Sequence, residues 1–338
     1  MDKTSNDDEK PLVIAVTGPT ASGKTDLAIK LSRHLPVELI NMDSAQIYRD
    51  MDIGTAKISQ DEQRDHPHHL MNILSPEESY SVAQFVRDVG KLVPEINHRG
   101  NIPILVGGSV LYYKALTDGL ANLPKADEAL RKKLRRMMTE QGHEALRREL
   151  AQIDPESADQ IQGKDSQRLI RFVEIARLTG QPPSVLFKQQ QEKNINHPFR
   201  FFHICCFPDD RAWLHERIER RFDKMLAQGF VDEVIRLRKK YRLTPELPAM
   251  RCAGYRQIWD YLEGRFDHLP TNKSNKHTNT AYQEMRNRGI FATRQLAKRQ
   301  LTWLRKIPAE MTLSPPKDYC IHSIIEQINR NFFQMHNK

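Results

Sequence analysis

Gly18, Pro19, Thr20, Ala21, Ser22, Gly23, Lys24 and Thr25 spell G-x-x-x-x-G-K-T. The two glycines let backbone N–H groups converge on phosphate oxygens. Lys24 adds a point charge, and the Thr25 hydroxyl is of the type that ligates Mg²⁺ on a bound phosphate. A nucleotide is the usual occupant of such a loop. A nucleoside triphosphatase, however, needs a second strand ending in an acid that holds the metal. Here the run IPILV (102–106) ends in Gly107-Gly108-Ser109, and the acid, Asp43, closes a different run, VELINM (37–42). An acid at that point can face the bound phosphate group or the group that attacks it. The loop is therefore open to a diphosphate leaving group as well as to ATP. His66, His68 and His69 lie close together, without the spacing or the carboxylate or thiol partners of a metal site.

Strands and helices in alternation must hold these residues. LVIAVT (12–17) is a continuous apolar, β-branched run, the mark of a strand buried on both faces. It leads into the loop, and 26–34 has helical spacing after it. Strands at 37–42 and 102–106 flank a helix at 81–97. This alternation predicts an α/β fold, a doubly wound parallel sheet of the P-loop kind, with a helical insertion domain. The texture changes near Pro124: 127–162 is rich in Arg, Lys, Glu and Leu, with Pro155 suited to a first helical position after Asp154. Helices at 167–178 and 184–192 continue it. FFHICCF (201–207) returns the chain to the sheet, and helices follow at 211–227, 230–240 and 253–263. TNKSNKHTNT (271–280) reads as a loop, a basic helix spans 281–306, and an amphipathic segment at 319–333 follows. The expected division is 1–123 and 199–338 for the core, with 124–198 as the insertion.

Lysine and arginine total 52 against 43 acids, a net charge of +9, in 338 residues that are 39% hydrophobic. Such a basic excess points to an anionic partner: nucleic acid, a membrane surface or a phosphorylated substrate. No apolar run approaches the roughly 18 residues of a membrane span, and no secretory signal opens the chain. The cysteines, Cys205, Cys206, Cys252 and Cys320, form no C-x-x-C pair. That argues against a disulfide scaffold or a zinc site and sets the cytoplasm as the expectation.

Several stretches stand together in order: GPTASGKT (18–25), DSAQIYR (43–49), MDIGTAK (51–57), PHHL (67–70) and GGSVLYYKAL (107–116). DSQRLIR (165–171), ERIERRFDKM (216–225), RCAGYRQ (251–257) and ATRQLAKRQLTWLR (292–305) follow. In these the chain resembles the tRNA dimethylallyltransferases, or tRNA isopentenyltransferases, of the compact bacterial type. The resemblance implies transfer of a five-carbon group from dimethylallyl diphosphate to N6 of the adenine 3′ of the anticodon. The implied acceptors are tRNAs reading codons that begin with U. It also implies Mg²⁺, a tRNA anticodon stem-loop as partner, and a monomer without membrane association.

Carried onto this sequence, the resemblance gives the 18–25 loop the diphosphate, with Thr25 toward the metal. Arg221 contacts the same group, and Arg217, one turn earlier, is the second choice. Asp43 becomes the general base for the N6 proton. Ser109, where the family usually has Thr, bonds adenine and diphosphate. The flipped tRNA is handled by Asp43, Ser44, Ala45 and Gln46, by Arg131, and by Gln167, Arg168, Leu169, Ile170 and Arg171. Further tRNA contacts fall to Arg251, Cys252, Ala253, Gly254 and Tyr255, and to Arg294, Gln295, Lys298, Arg299 and Thr302. The same resemblance puts the 66–69 histidines at a sheet edge.

The residues themselves support the last group. Between 286 and 306 seven Lys and Arg occur with no acid. Arg294, Lys298 and Arg305 share one helical stripe, whereas Ile290, Ala297, Leu301 and Leu304 share the buried one. Soluble faces usually mix both signs, so an acid-free stripe favours phosphate contact over a merely solvated surface. The competing readings are an adenylate isopentenyltransferase with a free nucleotide as acceptor, a P-loop kinase or ATPase, and an RNA-binding regulator with a vestigial loop.

Overall fold

The computed structural model describes residues 10–120, 123–161, 163, 165–192, 198–267, 280–315 and 320–333. Most of the stretch read as a loop at 271–280 lies outside them. In chain order, β1 (Leu12–Thr17) leads to α1 (Lys24–Ser32), β2 (Val37–Asn41) and the short α2 (Gln60–Asp65). Then come β3 (His68–His69), α3 (Val82–His98), β4 (Ile102–Gly107) and α4 (Val110–Thr117). Helices α5 (Glu128–Gln141), α6 (His143–Ile153), α7 (Pro155–Gln160), α8 (Ser166–Thr179) and α9 (Pro183–Glu192) follow. The chain continues through β5 (Arg200–Cys206), α10 (Arg211–Ala227), α11 (Phe230–Lys240), α12 (Tyr255–Leu262), α13 (Thr280–Leu304), β6 (Met311–Leu313) and α14 (Ile321–Phe333).

The chain divides into two compact units: Met1–Tyr113 with His197–Lys338, and Lys114–Asn196. In the first, all six strands run parallel in the order β3-β2-β4-β1-β5-β6. The order reverses direction at β1, so the sheet is doubly wound, and a crevice opens beyond the carboxyl ends of the strands there. Every residue of β1 and β4 is buried, as expected of central parallel strands. Leu27 and Leu31 of α1 and Ile324 and Ile328 of α14 join the sheet residues Ile14, Val16 and Ile104 in one core. A second core joins α10, α11, α12 and α13 around Phe222, Phe230 and Tyr255.

β3 is an edge strand, as the resemblance implied for the 66–69 segment. β6, the other edge, is only three residues long and carries no legible alternation. It forms because β5 supplies a parallel partner from Ile204 to Cys206.

The second unit is helical around Leu134, Leu146, Leu150, Leu169 and Val173. Pro155 does open α7, with the Asp154 side chain accepting from the Ser157 N–H. Glu174 is fully buried and ties α5 to α8. Its carboxylate accepts from Arg131 (2.9 and 3.0 Å), from Arg171 (2.5 Å) and from the Asp127 N–H (2.8 Å). Among the described residues no helix is long and apolar enough to cross a membrane.

Candidate active site

The phosphate loop joins β1 to α1. Gly23, at the N-cap of α1, has φ of 91°, a left-handed conformation that only glycine adopts at no steric cost. A Cβ at Gly18 would stand 2.7 Å from the Cys206 carbonyl, so glycine is required there for close approach. Lys24 is buried and donates to the Pro19 carbonyl (3.2 Å). Burial lowers its pKa, and the charge of Asp43 works against that shift. Ser22 Oγ is buried without a hydrogen-bond partner.

From the other wall α10 presents Arg217 and Arg221. Arg217 donates to the Ala21 carbonyl in the loop (2.8 Å), and Arg221 to the Thr55 carbonyl (3.4 Å). Burial lowers the Arg221 pKa as well, again opposed chiefly by Asp43. Two desolvated cations thus draw on the charge of Asp43, with a smaller contribution from Asp26. A buried positive charge without full compensation is costly, and an anionic ligand relieves it.

Asp43 closes β2 and caps the turn that follows: its Oδ1 accepts from the Ala45 N–H (2.9 Å). Capping this turn is compatible with a chemical role for Asp43, since one carboxylate oxygen serves the turn. Ser109 Oγ accepts from the Ser44 N–H (3.0 Å), joining the 43–46 turn to the end of β4. At Gly107 a Cβ would lie 2.1 Å from the Met42 carbonyl, so β2 and β4 meet without side chains between them.

Two cavities converge on this point. One, of about 940 Å³, is lined by Lys24, Thr25, Gln46, Arg217 and Lys224. The other, of about 700 Å³, is lined by Ser109, Arg251, Cys252, Ala253, Gln295 and Arg299. Asp43, Arg221, Thr20, Ala21 and Met225 belong to both. Leu111, Phe291 and Trp303, all exposed, also line the second cavity. Burial and then the Asp43 charge push the Cys252 thiol up to about 12, so it stays protonated and is a poor rival nucleophile.

Not every residue expected to touch RNA offers its side chain. Tyr255 is fully buried and its hydroxyl donates to Glu233 (2.6 Å); Gly254, at φ of 90°, packs on Phe230. In the second unit Leu169 and Ile170 are core, and Arg131 and Arg171 are engaged by Glu174, while Gln167 and Arg168 are exposed. On α13 the expected buried stripe of Ile290, Ala297, Leu301 and Leu304 is buried. Arg294, however, pairs with Glu219 of α10 (2.8 Å): the acid that the 286–306 stretch lacks comes from a neighbouring helix.

Two residues escaped the sequence. Gln300 is buried where α13 meets the loop; its Oε1 accepts from the Thr20 N–H and its Nε2 donates to the Gly108 carbonyl, both at 2.8 Å. Its one signal is a polar residue within the buried stripe. Glu233, also buried, accepts from the N–H groups of Asp52 (3.0 Å), Ile53 (2.7 Å) and Gly54 (3.1 Å) and so fixes the segment carrying Thr55.

The family model described as IPP transferase matches residues 46–307. A tRNA dimethylallyltransferase of Nitrosomonas eutropha is 50% identical, over 88% of this chain and 89% of its own length. One from Cupriavidus taiwanensis is 48% identical over 95% of both. Among solved structures, the tRNA isopentenylpyrophosphate transferase of Bacillus halodurans matches with a TM-score of 0.65 at 33% identity, covering 97% of this chain and 99% of its own. A eukaryotic dimethylallyltransferase acting on tRNA matches with a TM-score of 0.73 at 25% identity, covering 97% and 80%.

Proposed function

This chain belongs to the IPP transferase family, and from that premise we propose how its two joined cavities act as a tRNA dimethylallyltransferase. The donor is dimethylallyl diphosphate and the acceptor is N6 of the adenine at position 37, 3′ of the anticodon. The observation that carries the assignment is the shared wall. A cavity holding the phosphate loop meets a second one at Asp43 and Arg221. A donor and an acceptor that react with each other need separate entrances and one meeting point.

The diphosphate lies on the loop amides, with Lys24 and Arg221 toward its oxygens. Charge grows there as the C1–O bond breaks, so fixed donors stabilise the transition state more than the ground state. Adenine leaves its stack and enters the second cavity, the one lined by Ser109. Its N6 forms the bond to C1 and gives a proton to the Asp43 carboxylate, while diphosphate departs with the electron pair of the broken bond. Ser109 orients the acceptor through its hydroxyl. The donor set suits Mg²⁺, which takes few protein ligands and fills its shell from substrate phosphates and water. The loop cavity offers the Thr25 hydroxyl, and no cluster of three or more His, Cys, Asp or Glu occurs among the described residues. When bound, the ion supplies further neutralisation of the leaving diphosphate.

The test is incubation with labelled dimethylallyl diphosphate and bulk tRNA, followed by nucleoside analysis. Label in N6-dimethylallyladenosine is expected, with adenosine monophosphate a poor acceptor. Robust ATP hydrolysis without tRNA, abolished by Lys24→Ala, would overturn the assignment in favour of a kinase or ATPase.

A further inference from the structure

Helices α10 and α13 pack against each other, and the charges facing across them change character along the contact. At one end the signs alternate. Arg286 of α13 is bidentate on Asp223 of α10 (2.6 and 2.7 Å) and reaches Glu219 (3.0 Å); Arg294 also donates to Glu219 (2.8 Å). Beyond Glu219, among the described residues, no acid of α10 pairs with α13; Glu216 is engaged by Arg220 of its own helix (2.7 Å). Arg211 and His215 of α10 and Lys298 and Arg305 of α13 line a cavity of about 100 Å³ that has no acidic residue in its wall. Among the described residues no ion pair joins these four to a carboxylate. Arg294 closes the end of the cavity, and its Nε is buried without a partner.

Like charges set face to face repel, and a buried N–H left unmet is costly. Burial, then the charges of Arg294 and Arg211, also hold His215 below the ordinary imidazole range, a mark of the local positive field. One anion relieves all three conditions. A space of about 100 Å³ takes a phosphate group, whereas whole small-molecule ligands fill several hundred.

We propose that this cavity is a phosphodiester site for the RNA backbone, built jointly by α10 and α13. It rests on the reading of this protein as a tRNA-modifying enzyme and adds Arg211 and His215 to the RNA contacts. A backbone phosphate fits better than free diphosphate because α13 serves both places. Its Lys298 and Arg305 turn to this cavity while Gln295 and Arg299 turn to the acceptor cavity. An RNA strand that delivers a base to one passes along the same helix to the other.

The experiment is titration of tRNA binding against KCl, without donor, for the full chain. Three variants are compared with wild type: Arg211→Gln/His215→Gln, Lys298→Gln/Arg305→Gln, and all four together. A single shared phosphate predicts that each double variant flattens the slope of log affinity against log salt by about 0.7–0.9, the value of one contact. The quadruple variant flattens it no further. Affinity for dimethylallyl diphosphate, held by the loop, is the folding control. An unchanged slope for Arg211→Gln/His215→Gln, or additive losses in the quadruple variant, overturns the shared site. Titration with inorganic diphosphate separates the sources. Two sites per chain, one lost in the quadruple variant while the tRNA slope holds, would assign the cavity to a free anion and reject the proposal. Failure of wild type to prenylate tRNA tells against the functional reading alone, since the slope is measured without turnover.

Discussion

Gln300→Met tests whether α13 sets the phosphate loop. The replacement keeps length and flexibility but removes both hydrogen bonds of the carboxamide, to the Thr20 N–H and the Gly108 carbonyl. The Thr20 N–H is only partly buried and regains water, at a cost of about 1 kcal/mol. The Gly108 carbonyl bond is buried, and its loss costs about 1–3 kcal/mol. The sum is about 2–4 kcal/mol, or a fall of about 4–8 °C in melting temperature for a unit of this size. Because Thr20 lines both cavities, loop displacement also weakens the donor site. Dimethylallyl diphosphate Kd should rise about tenfold or more, the scale at which small misplacements act. Scanning calorimetry and donor titration read the two effects. Gln300→Glu adds a sign. Its carboxylate still accepts from Thr20 but opposes the Gly108 carbonyl, so its folded-state pKa is raised. The protonated form can donate to Gly108, so its stability deficit relative to wild type should be small at low pH and grow as pH rises through that raised pKa. Unchanged melting and donor affinity in Gln300→Met would refute the reasoning and leave α13 as a packed helix that does not set the loop.

Asp43→Asn keeps the shape and loses the proton acceptor; single-turnover transfer should slow by about 10²–10⁴-fold with little change in donor affinity. Lys24→Ala should weaken donor binding and transfer together while tRNA binding persists, as equilibrium titrations with each ligand would register. On β2, Glu38 is held down to about 2, chiefly by its hydrogen bonds from Arg99. A depressed carboxyl stabilises the fold above its unfolded pKa and loses that contribution as pH falls toward about 2. After discount for solvent, the contribution is about 1–2 kcal/mol. In Glu38→Gln it should be absent and acid denaturation correspondingly flatter.

The sequence by itself determined what depends on local pattern. Buried parallel strands announce themselves as unbroken apolar runs. The phosphate loop is legible because glycine, lysine and a hydroxyl must sit at fixed spacing for backbone amides to meet an anion. Pro155 after Asp154 opens a helix because its fixed φ and missing N–H suit that position alone. Asp43 is visible as the acid closing β2. Tertiary structure decided whatever depends on a partner distant in the chain. Whether a cation is available for RNA rests on what faces it. Arg294 is engaged by Glu219 and Arg131 by Glu174, whereas Lys298 and Arg305 share a cavity with Arg211 and His215 that has no acid in its wall. An acid-free stretch of α13 cannot reveal this, since the opposing acids lie on another helix. Gln300 and Glu233 look like ordinary surface residues until packing buries them against backbone amides of segments far away in sequence. Burial removes water as the competing partner, and a polar side chain then holds a loop in place instead of facing solvent.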